Sequence, residues 1–400
     1  MVITSIILAT IGVILGIIAG IAPGIHPNLL ATTVLAAYEK FQPDIVSSFD
    51  ICIAILAMTI TNVVIAFIPS TFLGVPESEN VLSLLPSHQY LKEGRGHEAV
   101  VLSLTGALVA LIISVLTWPL GSVIIKEIYT TIRPHTPWIM IIIAAVLIGR
   151  EKKKLMAGCI FLLAGVLGIW TLNRGNIQNP LTPLLTGLFG IPSLIMSLKD
   201  KNGIPPQEIS FPKIERKSFM KTVWSSVIVG SICSFLPAVS SSQAAVFTSI
   251  FSKEKSREGY LIMVGALNTI SATIGIIAWY AIDKTRNGTV VAMAEMMNYV
   301  DARTTTLFLA VGLVLCFPLT WITLKCSHGF SKVITKINYK MLSIGVIVSL
   351  VMITILLSGF TGLIVLTTAT AVGFIPLVTN VSRNQMMGCL MIPTILWYLA

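Results

Sequence analysis

Long apolar runs separated by short polar ones dominate the chain. After an opening segment at 3–37, apolar stretches fall at about 46–68, 98–117, 136–149, 155–171 and 181–198. A polar, basic stretch from Lys199 to Lys221, KDKNGIPPQEISFPKIERKSFMK, interrupts them. They resume at about 222–250, 258–282, 304–324, 341–358, 359–377 and 385–399, so each half reads as six units. Runs such as AILAMTITNVVIAFI and LFLAVGLVLCFPLTWITL have the length and polarity of helices that cross hydrocarbon. No ten-residue unit alternates with period two, as a membrane β-barrel requires. The pattern predicts an all-α polytopic membrane protein.

Two apolar segments carry residues that do not belong in a simple crossing. The first, GIIAGIAPGIHPNLLATTVLA at 16–36, holds Gly20, Pro23, Gly24, His26, Pro27 and Asn28. The second, GSICSFLPAVSSSQAAVFTSI, opens the second half. Laying 13–31 over 227–245 puts Gly16 on Gly230, Pro23 on Pro237, Gly20 on Ser234 and Gly24 on Ala238. The triplet His26-Pro27-Asn28 then falls on Ser240-Ser241-Ser242, and TITNVV, with Asn62, resembles ALNTIS, with Asn268. An internal repeat follows.

Charge orients the repeat. If each opening unit is a helical hairpin that enters the membrane and returns, the other five units of each half cross. With the amino terminus outside, the inside segments hold 20 of the 27 Lys and Arg residues. Those left outside are Lys40, Lys126, Arg133, Arg174, Lys284, Arg286 and Arg303. The positive-inside rule supports this arrangement and places the 199–221 linker in the cytoplasm. Five crossings per half make the second half run upside down relative to the first, an inverted-topology repeat of the kind secondary transporters use. The expected organisation is a first repeat over 1–200 (hairpin about 3–37), a linker over 201–221 and a second repeat over 222–400 (hairpin about 222–250). A single crossing at 222–250 would instead carry the Lys325 to Lys340 cluster outside.

Backbone that leaves helical geometry inside a bilayer survives where protein buries it or where it lines a polar cavity. Pro23, Gly24 and Pro27, like Pro237 in the second half, are expected to end one half-helix and start another. Asn28 is an N-cap type for the helix that follows, and Ser240 with Gln243 has capping-box spacing. Helix amino termini with free N–H groups hold anions. The expected substrate contacts are therefore Gly24, His26 and Asn28 with Ser240, Ser241, Ser242 and Gln243, and His26 would be a proton-sensitive donor. Asn62 and Asn268 are added as polar positions in the crossings after each hairpin, where helix-to-helix hydrogen bonding is the alternative. Asp50, near the start of a crossing, is expected to face water. Intramembrane acids are scarce, so no cofactor is expected and the coupling ion is open between H+ and Na+.

Composition agrees. The chain is 55% hydrophobic and 11% charged with a mean hydropathy of +0.89, outside the soluble globular range, and its net charge of +10 reads as membrane orientation rather than nucleic-acid binding. The six cysteines are scattered singly, without a metal or disulfide framework. The first apolar segment lacks a basic n-region and a small-residue cleavage site, so it reads as part of the mature protein. No HExxH, DxxD or GxSxG occurs and the five histidines are dispersed, so no enzyme is expected. Residues 67–97 form a long connection with Glu77 and Glu79 at one end and Lys92 and Arg95 at the other, expected to pack on the cytoplasmic mouth.

Two motifs carry a family resemblance. GIIAGIAPGIHPN joined to FIPSTFLGVPESENVLSLLPSHQYLKEGRGHEAV resembles the large membrane subunit of tripartite tricarboxylate transporters, above all the shorter archaeal branch of that family. Its G-x-x-x-G-x-x-P-G spacing falls on Gly16, Gly20, Pro23 and Gly24. Its G-x-P-[DE] and L-P-x-H elements fall on Gly74, Pro76 and Glu77 and on Leu85, Pro86 and His88. The likeness is strong over the first 100 residues or so, and in the second half rests on FLPAVSSSQAA. It implies a carboxylate-importing permease with re-entrant hairpins, a small membrane subunit and an extracytoplasmic binding protein; association as a homodimer is left open. HPN replaces the family's glycine-rich continuation. The stretch PGIHPNLLATTVLAAYEKF, with Tyr38 and Glu39, is also similar to proteins that return polyprenyl or dolichyl phosphate carriers across the bilayer. A translocase for such a lipid is the alternative.

Overall fold

The computed structural model describes residues 2–21, 27–41, 46–73, 84–175, 177, 179–198, 204–212, 214–234, 241–254, 256–285, 287–297, 299–335 and 339–399. Those residues are almost entirely helical, and none of them is in a strand. The first half comprises α1 (Val2–Ile21), α2 (Pro27–Phe41), α3 (Ser48–Ile65), α4 (Phe67–Phe72), α5 (Leu84–Lys92), α6 (Gly96–Ile132), α7 (Thr136–Gly149), α8 (Lys154–Leu172), α9 (Leu181–Leu185) and α10 (Ile191–Leu198). The second comprises α11 (Arg216–Cys233), α12 (Ser241–Ser252), α13 (Arg257–Ile282), α14 (Gly288–Met297), α15 (Ala302–Ile334), α16 (Tyr339–Thr379) and α17 (Gly388–Leu399). A π-helical turn, Thr186–Gly190, joins α9 to α10, and a 3-10 turn, Arg383–Met387, leads into α17.

Among the described residues, seven helical stretches are long and apolar enough to cross a membrane: Ile3–Ile21, Ser48–Phe72, Gly96–Gly149, Lys154–Leu172, Arg257–Ile282, Ala302–Ile334 and Ser343–Thr379. One crossing takes about 20 residues. The 54 residues of Gly96–Gly149 and the 37 of Ser343–Thr379 exceed that. The latter bends at Gly359, whose φ of 64° and ψ of −163° only glycine adopts readily. Expected boundaries shift where isolated breakers fail to stop a helix. Thus α6 continues past residue 117 to 132 through Pro119 and Gly121, and α15 past 324 to 334 through Gly329, because a membrane bundle tolerates a single Pro or Gly within a helix. The 283–303 connection, read as a loop, contains α14.

Local chemistry sets the starts. Ser47 caps α3 in a capping box: the Asp50 N–H donates to Ser47 Oγ (3.2 Å) and the Ser47 N–H donates to Asp50 Oδ2 (3.4 Å). Asp50 is therefore buried, not facing water, and also accepts a hydrogen bond from Ser5 Oγ at 2.5 Å. Ser256 and Asp301 cap α13 and α15, accepting from the Gly259 and Thr304 N–H groups.

The centre consists of α3 and α13, buried along nearly their whole length, whereas α1 and α16 leave broad apolar faces exposed. With little hydrophobic drive between helices in lipid, close approach at small residues holds such bundles together. Gly12, Gly16 and Gly20 make one stripe of α1. A Cβ at each would meet Ala54, then Met58 and Thr61, then Ile65, so α1 and α3 run parallel. Ser218 Oγ donates to Glu254 Oε2 (2.7 Å) and Gly230 lies against Leu267 and Ile270, so α11 and α13 are parallel too. Between the halves, Gly106 abuts the backbone of Ile262 and Gly265 that of Ser103. On the other side, Phe49 stacks on Phe308 (5.5 Å), Gly312 faces Ile60 and Phe72 faces Phe330 (6.0 Å), so α3 and α15 are parallel.

At one end of the molecule, the connection before α6 is fastened to α13 and to the linker. Tyr90 Oη donates to Glu258 Oε1 (2.5 Å), Arg257 pairs with Glu93 (2.6 Å), and Arg95 pairs with Glu98 through both Nε and Nη2 (2.8 and 2.6 Å). Burial and the neighbouring Glu258 push the Tyr90 hydroxyl's pKa upward, so it remains a donor. Gln207 of the linker accepts from the Gly96 N–H (3.0 Å) and donates to Leu91 O (2.9 Å), and Ser210 donates to Glu98 (2.9 Å). Glu77 and Glu79 lie outside the described residues.

Candidate functional site

Both central helices carry polar residues into the interior. On α3, Thr59 and Thr61 donate to Ile55 O and Ala57 O (both 2.7 Å), and on α13 Thr269 and Thr273 donate to Gly265 O (3.2 Å) and Thr269 O (3.0 Å). These bonds to the preceding turn satisfy hydroxyls where no water competes. An asparagine cannot be satisfied that way by its amide. Asn62 is 5% exposed, and its Nδ2 has no hydrogen-bond partner among the described residues. Leaving such a donor buried costs about 1–3 kcal/mol, so Asn62 is the polar group of α3 best suited to receive something. Asn268 is 6% exposed on α13.

The two asparagines do not occupy equivalent positions. Gly16 packs on Met58 and Thr61, and Gly230 on Leu267 and Ile270. By that register Asn62 corresponds to Ser271 and Asn268 to Thr59, about one turn from the match that TITNVV and ALNTIS suggested. Short polar strings in apolar sequence align too easily, and glycine contacts fix the register better.

The first broken segment is described on both sides of its break. Gly20 packs on Ile65, α1 ends at Ile21 and α2 starts at Pro27. Pro23, Gly24 and His26 lie outside the described residues. Asn28 is not the N-cap: Pro27 takes the first helical position, where its missing N–H costs nothing, and Asn28 follows inside the first turn. The Asn28 amide lies against Gly288, where an added Cβ would come within 2.6 Å of its Cγ. Thus α2 packs on α14 as well as α3, and its far end returns to the start of α3, where Tyr38 Oη meets Ser48 Oγ (2.9 Å). Sequence reasoning missed α14; the apolar run VVAMAEMM after Gly288 was its signal.

In the second broken segment, α11 ends at Cys233 and α12 starts at Ser241, which is buried. Ser242 and Gln243 continue the first turn of α12, with side chains outside the described set, as are Pro237 and Ser240 and hence the expected capping box. The helix α12 packs on α11 and α13, while α2 packs on α14 and α3. The described residues thus bring Asn28 to α14, and bring Asn62, Asn268 and Ser241 to the two buried central helices. They contain no cluster of three metal-ligating side chains, and all six cysteines are free.

These features define a multi-pass helical membrane protein with a buried polar zone on two central helices, flanked by broken apolar helices. The profile of the Tripartite tricarboxylate transporter TctA family matches residues 6–388, and the chain belongs to that family. It is 30% identical over 354 residues to an uncharacterised protein of Methanocaldococcus jannaschii, covering 86% of this chain and 88% of that protein. No solved structure matches. Family membership makes the chain a component of a tricarboxylate transporter, a system whose tripartite character implies a small membrane subunit and a periplasmic binding protein. Neither match supports the lipid-phosphate carrier reading.

Proposed function

We propose that the protein is a carboxylate permease built from two inverted repeats, 1–200 and 222–400 around the 201–221 linker, with substrate held between two hairpin tips and exposed to each side in turn. The observation that carries this reading is the pairing of helices across the halves. Helix α3 runs with α15 of the other half, and α13 runs with α6. His97 Nδ1 lies 3.0 Å from Ser327 Oγ, setting the start of α6 beside the end of α15, so these two pairs run in opposite directions. The second member of each repeat is thereby reversed relative to the first, as inversion requires. The outer helices exchange likewise: α17 packs on α7 and α8, and the α9–α10 segment packs on α16.

The hairpins fit the same scheme. Ser218 is level with Glu254 and Gly230 with Leu267 to Ile270, so α11 ends near residue 272 of α13, which continues to Ile282. At 1.5 Å per residue α11 stops roughly 15 Å short of that end. The first hairpin stops closer to the far side, since α1 ends level with Ala66 and α4 with Phe72. Chaining the contact registers brings Asn62 and Asn268 to within roughly one turn of the same depth. Substrate is assigned to Gly24, His26, Asn28, Asn62, Ser240 to Gln243 and Asn268, as N–H and hydroxyl donors aimed at carboxylate oxygens. The amino terminus is assigned to the outside and the linker to the cytoplasm; H+ and Na+ are the two candidates for the coupling ion.

Cysteine labelling tests the topology. With cysteine at Lys253 and at Lys284, both exposed, an impermeant thiol reagent added to intact cells is expected to label only position 284. Labelling of position 253 from outside overturns the inversion. Uptake of labelled citrate by cells carrying the partner subunits tests the substrate: Asn62→Ala is expected to lower uptake at least tenfold, and unchanged uptake removes Asn62 from the site.

A further inference from the structure

One partly buried cation has no counter-charge among the described residues. Arg383 begins the 3-10 turn before α17 and is half-buried. Its Nη1 donates to Ser193 Oγ on α10 at 2.6 Å, and that hydroxyl donates to Phe189 O (2.6 Å). Among the described residues no carboxylate lies within 4.0 Å of the guanidinium. Glu151, the acid on the facing turn, accepts from the Ser382 N–H at 3.2 Å instead. A guanidinium carries five N–H donors, so most of this one's capacity is unused by the described residues. Withdrawing such a charge from water without an anion is costly, and burial accordingly holds the Arg383 pKa below the ordinary arginine value.

The surroundings reinforce the positive charge and fix the depth. The turn between α7 and α8 exposes Arg150, Lys152, Lys153 and Lys154. It is fastened to the Arg383 segment: Lys153 Nζ donates to Thr379 O (2.8 Å) and Gln385 Nε2 to Leu147 O (3.0 Å). Leu147 lies two residues before the end of α7 and Ser193 five before the end of α10. That is where apolar helix ends meet polar turns, the depth of lipid headgroups. Basic pockets between helices at this level suit phosphate headgroups, and a guanidinium fork matches phosphate oxygens.

We infer that Arg383 and the basic 150–154 turn hold a phosphate group in the cleft between α10 and the turn before α17, supplied by the headgroup of an anionic phospholipid. The assignment is independent of the transport reading. Native mass spectrometry of the full-length protein, released from micelles doped equally with phosphatidylglycerol and phosphatidylcholine, tests it. Both lipids carry the phosphate, but the choline ammonium of phosphatidylcholine offsets its charge beside Arg383 and the basic turn, so wild type is expected to retain phosphatidylglycerol with roughly tenfold preference. Arg383→Gln is expected to abolish the preference and Arg383→Lys to keep part of it. Should Arg383→Gln not fold, Lys153→Gln, at an exposed position, is expected to weaken the preference a few-fold. Retention of phosphatidylglycerol that survives excess inorganic phosphate identifies the lipid as the source; displacement, with phosphate bound in its place, identifies free phosphate. Equal retention of the two lipids by wild type, or an unchanged preference in both Arg383→Gln and Lys153→Gln, overturns the site.

Discussion

The seam between α6 and α13 joins the two halves of the molecule, and Gly265→Ala tests whether it is as tight as its backbone contacts imply. A Cβ on Gly265 would come 2.6 Å from the carbonyl carbon of Ser103 and 2.9 Å from its Cα, and closer still to its oxygen. These are backbone atoms that cannot rotate away. Carbon atoms settle at about 3.5–4.0 Å, so the helices must part by roughly 1 Å, which forfeits a quarter to a half of each neighbouring contact. For about 50 atom pairs, the number one buried leucine makes, at 0.1–0.2 kcal/mol each, the loss is roughly 1–5 kcal/mol. Helix propensity returns about 1 kcal/mol, leaving a net loss centred on about 2 kcal/mol, in the range of other overpacking substitutions. The assay is thermal unfolding in detergent followed by a thiol-reactive dye, since Cys52 and Cys316 are buried at the centre and become reactive as it opens. For a chain of 400 residues a melting temperature about 2 °C below wild type is expected. Gly158→Ala is the control, because a Cβ there meets nothing within 4 Å; it is expected to melt at or slightly above wild type. If the two variants melt together, the seam is looser than these contacts state and the argument from backbone approach fails.

Other expectations follow from single residues. Gly359→Ala is expected to cost about 1–3 kcal/mol through backbone strain alone, since its φ is 64° with open space for a Cβ; Gly345→Ala in the same helix, also with open space, is expected to be neutral in the same melting assay. Asn28→Leu is expected to push α2 away from α14, because the amide already fills the space at Gly288; faster hydrogen exchange over 288–297 would register it, and unchanged exchange would refute the contact. Asp301 caps α15 with its carboxyl held below 3.8 by the hydrogen bonds from Thr304. Its contribution is therefore present above about pH 3.8 and lost as the pH falls through the lower folded value. Exchange at the first turn of α15, corrected for intrinsic rates, is expected to rise below that pH in wild type but to be pH-independent in Asp301→Asn.

How much was legible in the sequence depended on the range of the interaction. Apolar run length gave the helices, because a bilayer forces backbone groups to pair within their own segment. The break after Ile21 and the start at Pro27 were readable from proline and glycine, which act locally, and the family from Gly16, Gly20 and the 67–97 segment. Asn28 was misassigned as a cap, since Pro27 takes the first helical position and Asn28 follows it within the first turn. Asp50 was misjudged because its partners, Ser47 and Ser5, belong to a cap and to a helix 45 positions away.

The sequence by itself determined a helical membrane protein, its breaks and its excess of basic charge at one set of loops, all set by the chain's local preference for lipid or water. Only the tertiary structure decided that α3 and α13 lie at the centre and that α2 rests on α14. It alone left Asn62 Nδ2 without a partner and Arg383 without a carboxylate among the described residues. Those outcomes depend on which helices meet at glycines, and contact between distant segments leaves no periodic trace in the sequence of either one.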